Sequence, residues 1–192
     1  MPPKIKITKE DLVKTAVDLV RANGAQALNA RAIAASLHCS TQPIFSNFAT
    51  MEALQEATAT AAYALYLDFL KSEVESGKFP PYKAFGMAYI RFAKEERELF
   101  KLLFMRDRTN EDTSPSMDFE ESVQMIMRAN GVTAERAWLM HMEAWTCVHG
   151  IATMLATSFL SLEWELISDM LTDVYQGIRT RHVTEEEEHG RN

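Results

Sequence analysis

Residues Leu28–Phe48, LNARAIAASLHCSTQPIFSNF, decide how the rest of the chain is read. Ala30–Leu37 carries Ile33, Ala34 and Leu37 at the spacing of one helix face. His38-Cys39 interrupts it. Ser40 then offers an N-cap oxygen, and Thr41–Asn47 forms a second short helix with Ile44 and Phe48 turned inward. Pro43 is tolerated there because first-turn amides have no helical partner to lose. Outward on this helix stand Thr41, Gln42, Phe45, Ser46 and Asn47. A small surface of hydrogen-bonding side chains on a buttressed short helix is the geometry of a helix-turn-helix DNA reader. An ordinary pair of packed helices fits this stretch alone equally well.

The flanks favour the reader. Upstream, Thr8-Lys9-Glu10-Asp11 resembles a capping box, and Ile7 and Leu12 are spaced as a hydrophobic staple. Leu12, Val13, Ala16, Val17 and Val20 make one apolar stripe before Gly24 stops the helix. Downstream, Thr50 caps a long helix running from Met51 to about Glu75. Gly77 and Pro80-Pro81 punctuate the chain next. Helices over Tyr82–Lys94 and Glu95–Met105 follow, then a polar loop, Arg106–Thr113. Ser114-Pro115 opens a helix to about Asn130, and Gly131 ends it. Thr133 caps Ala134–Phe159, and Ser161 caps Leu162–Arg181. The expected fold is all-α, with about nine helices: a three-helix reader domain over residues 1–47 and a larger helical bundle over 48–182. Residues 183–192, with the like-charge block Glu185–Glu188, are expected to be a disordered acidic tail.

Composition narrows the function. Hydrophobic residues make up 47% of 192 residues, enough for a sizeable core. Two cysteines, Cys39 and Cys147, give no disulfide framework and fit a reducing cytoplasm, with Cys39 expected to be buried. No leader or membrane-spanning run is evident, so no membrane partner is expected. The net charge is −7. Residues 1–56 hold six Lys/Arg and five Asp/Glu, so this end is +1 and the remainder −8. The end that would meet phosphate is the less acidic one. Lys4 and Lys6, in the N-terminal arm, are placed to reach DNA. Catalysis is not expected. His141 and His149 lie eight positions apart on one helix, about 12 Å by helical rise, too far to share a metal. Glu186-x-x-His189 stands alone in the tail, and no phosphate loop or nucleophile motif occurs. No cofactor is implied.

The N-terminal pattern resembles the TetR family of one-component transcriptional regulators. The matching residues are Gly24, Leu28, Arg31-Ala32-Ile33-Ala34, Leu37, Ser40, Ile44-Phe45, Phe48 and Met51-Glu52-Ala53-Leu54. The resemblance covers about residues 8–56. Three positions depart from it: His38 replaces the turn Gly, Phe45 the phosphate-contacting Tyr, and Met51 the Lys that opens the fourth helix. Within Ala134–Phe159, Trp145-Thr-Cys-Val-His149-Gly150 resembles the W-x-x-x-H-G signature of one C-terminal domain type in this family.

The resemblance implies a homodimer through the last two helices, where Gly150, Ala152, Thr153, Ala156 and Thr157 would let helices approach closely. It implies a double-stranded DNA operator contacted by Lys4, Lys6, Arg31, Ser40, Thr41, Gln42, Phe45, Ser46 and Asn47. It further implies a cavity for a small apolar effector, with candidates Tyr66, Phe69, Tyr89, Phe92, Phe104, Met125, Met142, Trp145 and His149. The expected role is repression relieved by that effector. The rival is a helical ligand-binding or scaffold protein whose helix-turn-helix has lost DNA function, favoured by Phe45, Met51 and the −7 charge.

Overall fold

The computed structural model describes residues 7–107, 109 and 117–189. Among them are nine α-helices and no strand, as the sequence pattern requires. They are α1 (Lys9–Asn23), α2 (Ala30–Ser36), α3 (Gln42–Asn47), α4 (Met51–Glu75), α5 (Pro81–Glu95), α6 (Arg97–Phe104), α7 (Met117–Asn130), α8 (Ala134–Ala156) and α9 (Trp164–His189). Two compact units result: one from residues 1–68 and 95–106, the other from 69–94 and 107–192.

In the first unit, α1 starts as the sequence indicates. Thr8 Oγ1 accepts from the Asp11 amide at 3.1 Å, and the Thr8 amide donates to the Asp11 carboxylate at 2.9 Å. These reciprocal bonds satisfy donors that a helix start leaves orphaned. Leu12, Ala16, Val17 and Val20 are buried, as are Leu28, Ile33, Ile44 and Phe48. Helix α4 contributes Leu54, Thr58, Ala62 and Tyr66, one residue per turn, all buried. Thr58 meets the cost of burial by donating to the Leu54 carbonyl at 2.7 Å. Helix α6 packs on α1 with Leu99 and Phe100 fully buried. Arg21 fastens this contact, reaching Glu96 at 2.7 Å and Asp18 at 2.8 Å.

The second unit gathers α5, α7, α8 and α9. Ile126, Val132, Ala137, Met140, Ala144 and Ile178 form one buried cluster. Gly86 on α5 is a close-approach position: a β-carbon there would meet Val148 at 3.2 Å and Leu171 at 3.3 Å. Lys83 donates to both Ser168 and Thr172 on α9 at 2.7 Å. Asn130 bridges α7 to α9, donating to the Tyr175 hydroxyl at 2.9 Å and accepting from Arg179 at 3.1 Å.

Several element ends differ from expectation. Helix α3 begins at Gln42, so Thr41 rather than Ser40 occupies the N-cap, and no side chain caps it. Helix α8 stops at Ala156, short of Phe159, in a Schellman motif with Ser158 left-handed at φ 58°. The Phe159 amide reaches the Met154 carbonyl at 2.9 Å and the Ser158 amide the Leu155 carbonyl at 3.1 Å. Helix α9 starts at Trp164, past Ser161 and Leu162, and continues beyond Arg181 to His189. Cys39 is half-buried rather than buried. The cap expected at Ser114-Pro115 lies outside the described residues.

Candidate nucleic-acid interface and effector-site residues

The turn between α2 and α3 is built from local hydrogen bonds. Asn29 caps α2 by accepting from the Ala32 amide at 3.0 Å. His38 takes the left-handed conformation at φ 51°, the burden the missing glycine leaves to a residue with a β-carbon. The Cys39 amide bonds the Ala34 carbonyl at 2.9 Å and the His38 amide the Ala35 carbonyl at 3.2 Å, closing a second Schellman motif. Ile44, 0% exposed, and Phe48, 4% exposed, anchor α3 from beneath. Lys9 lies 4.9 Å from the Phe48 ring centre.

The DNA-facing candidates then sort themselves. Arg31, Ser40, Gln42, Phe45, Ser46 and Asn47 are exposed, and Thr41 is half-buried. Ser46 and Asn47 are partly occupied already. The Ser46 hydroxyl donates to the Gln42 carbonyl at 2.9 Å, and the Asn47 amide to the Pro43 carbonyl at 2.7 Å. Such back-bonding to the preceding turn uses donors a base edge would need. Phe45 is 51% exposed. Met51, at the start of α4, is half-buried. Lys4 and Lys6 lie outside the described residues.

The effector candidates fall into both units. Tyr66 and Phe104 belong to the first, packed edge to face with ring centres 5.4 Å apart. Phe69, Tyr89, Phe92, Met125, Met142, Trp145 and His149 belong to the second. There Phe69 meets Phe92 edge to face at 5.4 Å, and Arg91 lies over Phe69 while pairing with buried Glu73 at 3.3 Å. Tyr89, Trp145 and His149 come together: Tyr89 Oη lies 2.9 Å from His149 Nδ1, and the Trp145 and His149 rings stack at 4.9 Å and 16°. Burial holds the His149 pKa below its ordinary 6.5, so the imidazole is neutral near pH 7. The Tyr89 hydroxyl and Nδ1 share one hydrogen bond, and the tautomer of the neutral ring decides which of them donates. Trp145 keeps 38% of its surface exposed. Met125 and Met142 are half-buried.

Sequence reasoning missed a second rung of the same kind. Tyr82 Oη lies 3.0 Å from His141 Nδ1, with Phe119 edge-on to the imidazole at 4.3 Å. Burial pushes the Tyr82 hydroxyl far above its usual range, so it meets the imidazole as a neutral phenol. The signal was present: two tyrosines seven apart on α5 face two histidines eight apart on α8, two turns in each helix. Among the described residues no three His, Cys, Asp or Glu side chains are grouped to hold a metal, and no helix is long and apolar enough to cross a membrane.

Comparison with known proteins adds the following. Residues 82–174 match the tetracyclin repressor-like C-terminal domain family. No curated protein matches the chain. Among solved structures, a protein of unknown function from Rhodococcus sp. RHA1 is similar, with a TM-score of 0.67 and 21% identity over 92% of this chain and 98% of that one. A TetR-like transcriptional regulator from Rhodococcus sp. RHA1 gives a TM-score of 0.60 and 16% identity, over 92% of this chain and 96% of its own. At these identities the two structures speak to the fold. A helix-turn-helix therefore precedes a segment that matches the tetracyclin repressor-like C-terminal domain family.

Proposed function

We propose that the protein is a dimeric, DNA-binding repressor whose hold on a near-palindromic operator is weakened by a small, mainly apolar effector in the cytoplasm. The observation that carries this reading is α3: a short helix anchored by Ile44 and Phe48 that presents Gln42 and Phe45 to solvent, in a chain with this C-terminal domain. Two copies of α3 occupy successive major grooves. Effector binding favours a dimer state in which their separation no longer fits; an effector with equal affinity for both states would shift nothing. Helix α4 supplies the continuity this requires, contributing Tyr66 to one unit and Phe69 and Glu73 to the other.

Dimerisation through α8 and α9 is supported by the apolar surface they carry. Trp138, Leu139 and Trp145 on α8, Phe159 and Leu160 in the link, and Leu166 on α9 are all exposed. A β-carbon at Gly150 would meet nothing in the protomer, which leaves room for a neighbouring helix, whereas Ala152 and Ala156 pack inside their own chain. The test is nuclease protection of DNA from the protein's own upstream region. A protected near-palindrome with half-sites about 34–36 Å apart, or a multiple of this, is expected. Uniform cleavage at every protein concentration would return the chain to the rival reading of a helical ligand-binding or scaffold protein.

A further inference from the structure

Among the described residues, Phe45 is the most exposed aromatic side chain of the first unit, at 51%. Its neighbours Ile44 and Phe48 are buried, so its exposure follows from its register on α3 and not from loose packing. Exposing a phenyl ring to water is unfavourable, and a bound surface that removes it from water recovers that cost. The ring has no hydroxyl with which to bond a phosphate. Gln42 lies three residues earlier and is also exposed, so the two side chains share one helix face. One turn on, Ser46 gives its hydroxyl proton, and Asn47 one of its two amide protons, to α3's own carbonyls. The face that Gln42 and Phe45 share therefore sets one carboxamide, unengaged by α3's carbonyls, beside one apolar ring.

The major groove offers the matching pair. Adenine presents an acceptor and a donor that a glutamine satisfies together, and thymine presents a C5-methyl group, an apolar knob that a phenyl ring can cover. We infer that Phe45 is a specificity residue that reads a thymine methyl next to the base read by Gln42. This inference rests on the DNA-binding reading above.

The test uses a duplex selected from a random-sequence pool by the full-length protein, remade with single thymines replaced by uracil. Uracil keeps every hydrogen-bonding group and removes only the methyl. One thymine per half-site is expected to lose about four-fold in affinity on replacement, the worth of one buried methyl. Phe45→Ala should bind more weakly and no longer distinguish thymine from uracil at that position, while Phe45→Tyr, which retains the ring, should still distinguish them. A selected duplex on which every thymine tolerates uracil would overturn the inference and leave DNA binding standing. So would a Phe45→Ala variant as uracil-sensitive as the wild type. Failure of the pool to enrich any sequence would overturn both readings.

Discussion

At His38 the chain places a β-carbon where the backbone is left-handed, and the cost falls on the turn that orients α3. A non-glycine residue in this region is disfavoured by roughly 1–2 kcal/mol, offset in part by the entropy glycine would lose on folding. His38→Gly should therefore raise stability by about 1 kcal/mol in denaturant unfolding; no gain would mean that the imidazole makes compensating contacts. Gln42 is exposed at the start of α3, and the proposed DNA-binding role makes it a base-selecting residue. Gln42→Ala should relax preference at one position per half-site, forfeiting about 1–3 kcal/mol of discrimination, as read by site selection. An unchanged selected sequence would remove Gln42 from base reading. Met51 opens α4 where the resemblance leads one to expect a lysine, and Met51→Lys should steepen the log–log salt dependence of binding by about one unit per half-site. A parallel salt curve would mean that this position faces away from phosphate.

Helices carried most of what could be read in advance. The start of α1, the stop at Gly24, the cap at Thr50 and the cap at Thr133 all rest on side chains bonding amides within a few residues, and such signals are visible in sequence. The end of α8 was not, because Ser158 does the work usually given to glycine. The contacts that organise each unit join residues far apart in sequence: Arg21 to Glu96, Tyr82 to His141, Tyr89 to His149. No local pattern pairs them, although the two-turn spacing on α5 and α8 hinted at the rungs. The outward face of α3 was legible as a set of mostly exposed positions, while the back-bonding of Ser46 and Asn47 required coordinates. The rung at His149 has a consequence for pH. Its folded pKa lies below the unfolded value, so the unfolded chain takes up a proton that the folded chain refuses. That contribution is complete above the unfolded pKa and is lost as pH falls from there through the folded pKa. His149→Gln should flatten the fall in unfolding free energy between about pH 7.5 and about pH 5. An equal fall in the variant would place the acid sensitivity elsewhere.

For the molecule as a whole, charge and apolar surface divide the labour: residues 1–56 are +1 while the remainder is −8, and exposed Phe159 and Leu166 belong to the latter. A Phe159→Glu, Leu166→Glu double variant should sediment as a monomer and lose operator affinity, because two half-sites would no longer be bound as one; an intact dimer would move the interface off this surface. Sensing is tested by Met142→Trp, which places bulk on α8 three residues before Trp145. It should either weaken operator binding, mimicking effector, or block release, a coupling of about 1–3 kcal/mol in either direction. Normal binding and normal release would exclude Met142 from the effector site. The central claim is that this acidic protein reads DNA with its first unit. The direct measurement is a salt titration of binding to a duplex from its upstream region beside a scrambled duplex of equal length. The account predicts that log affinity falls linearly with log salt for both, with the upstream duplex bound at least about a thousand-fold more tightly. Equal, weak affinities for the two duplexes at every salt concentration would contradict it.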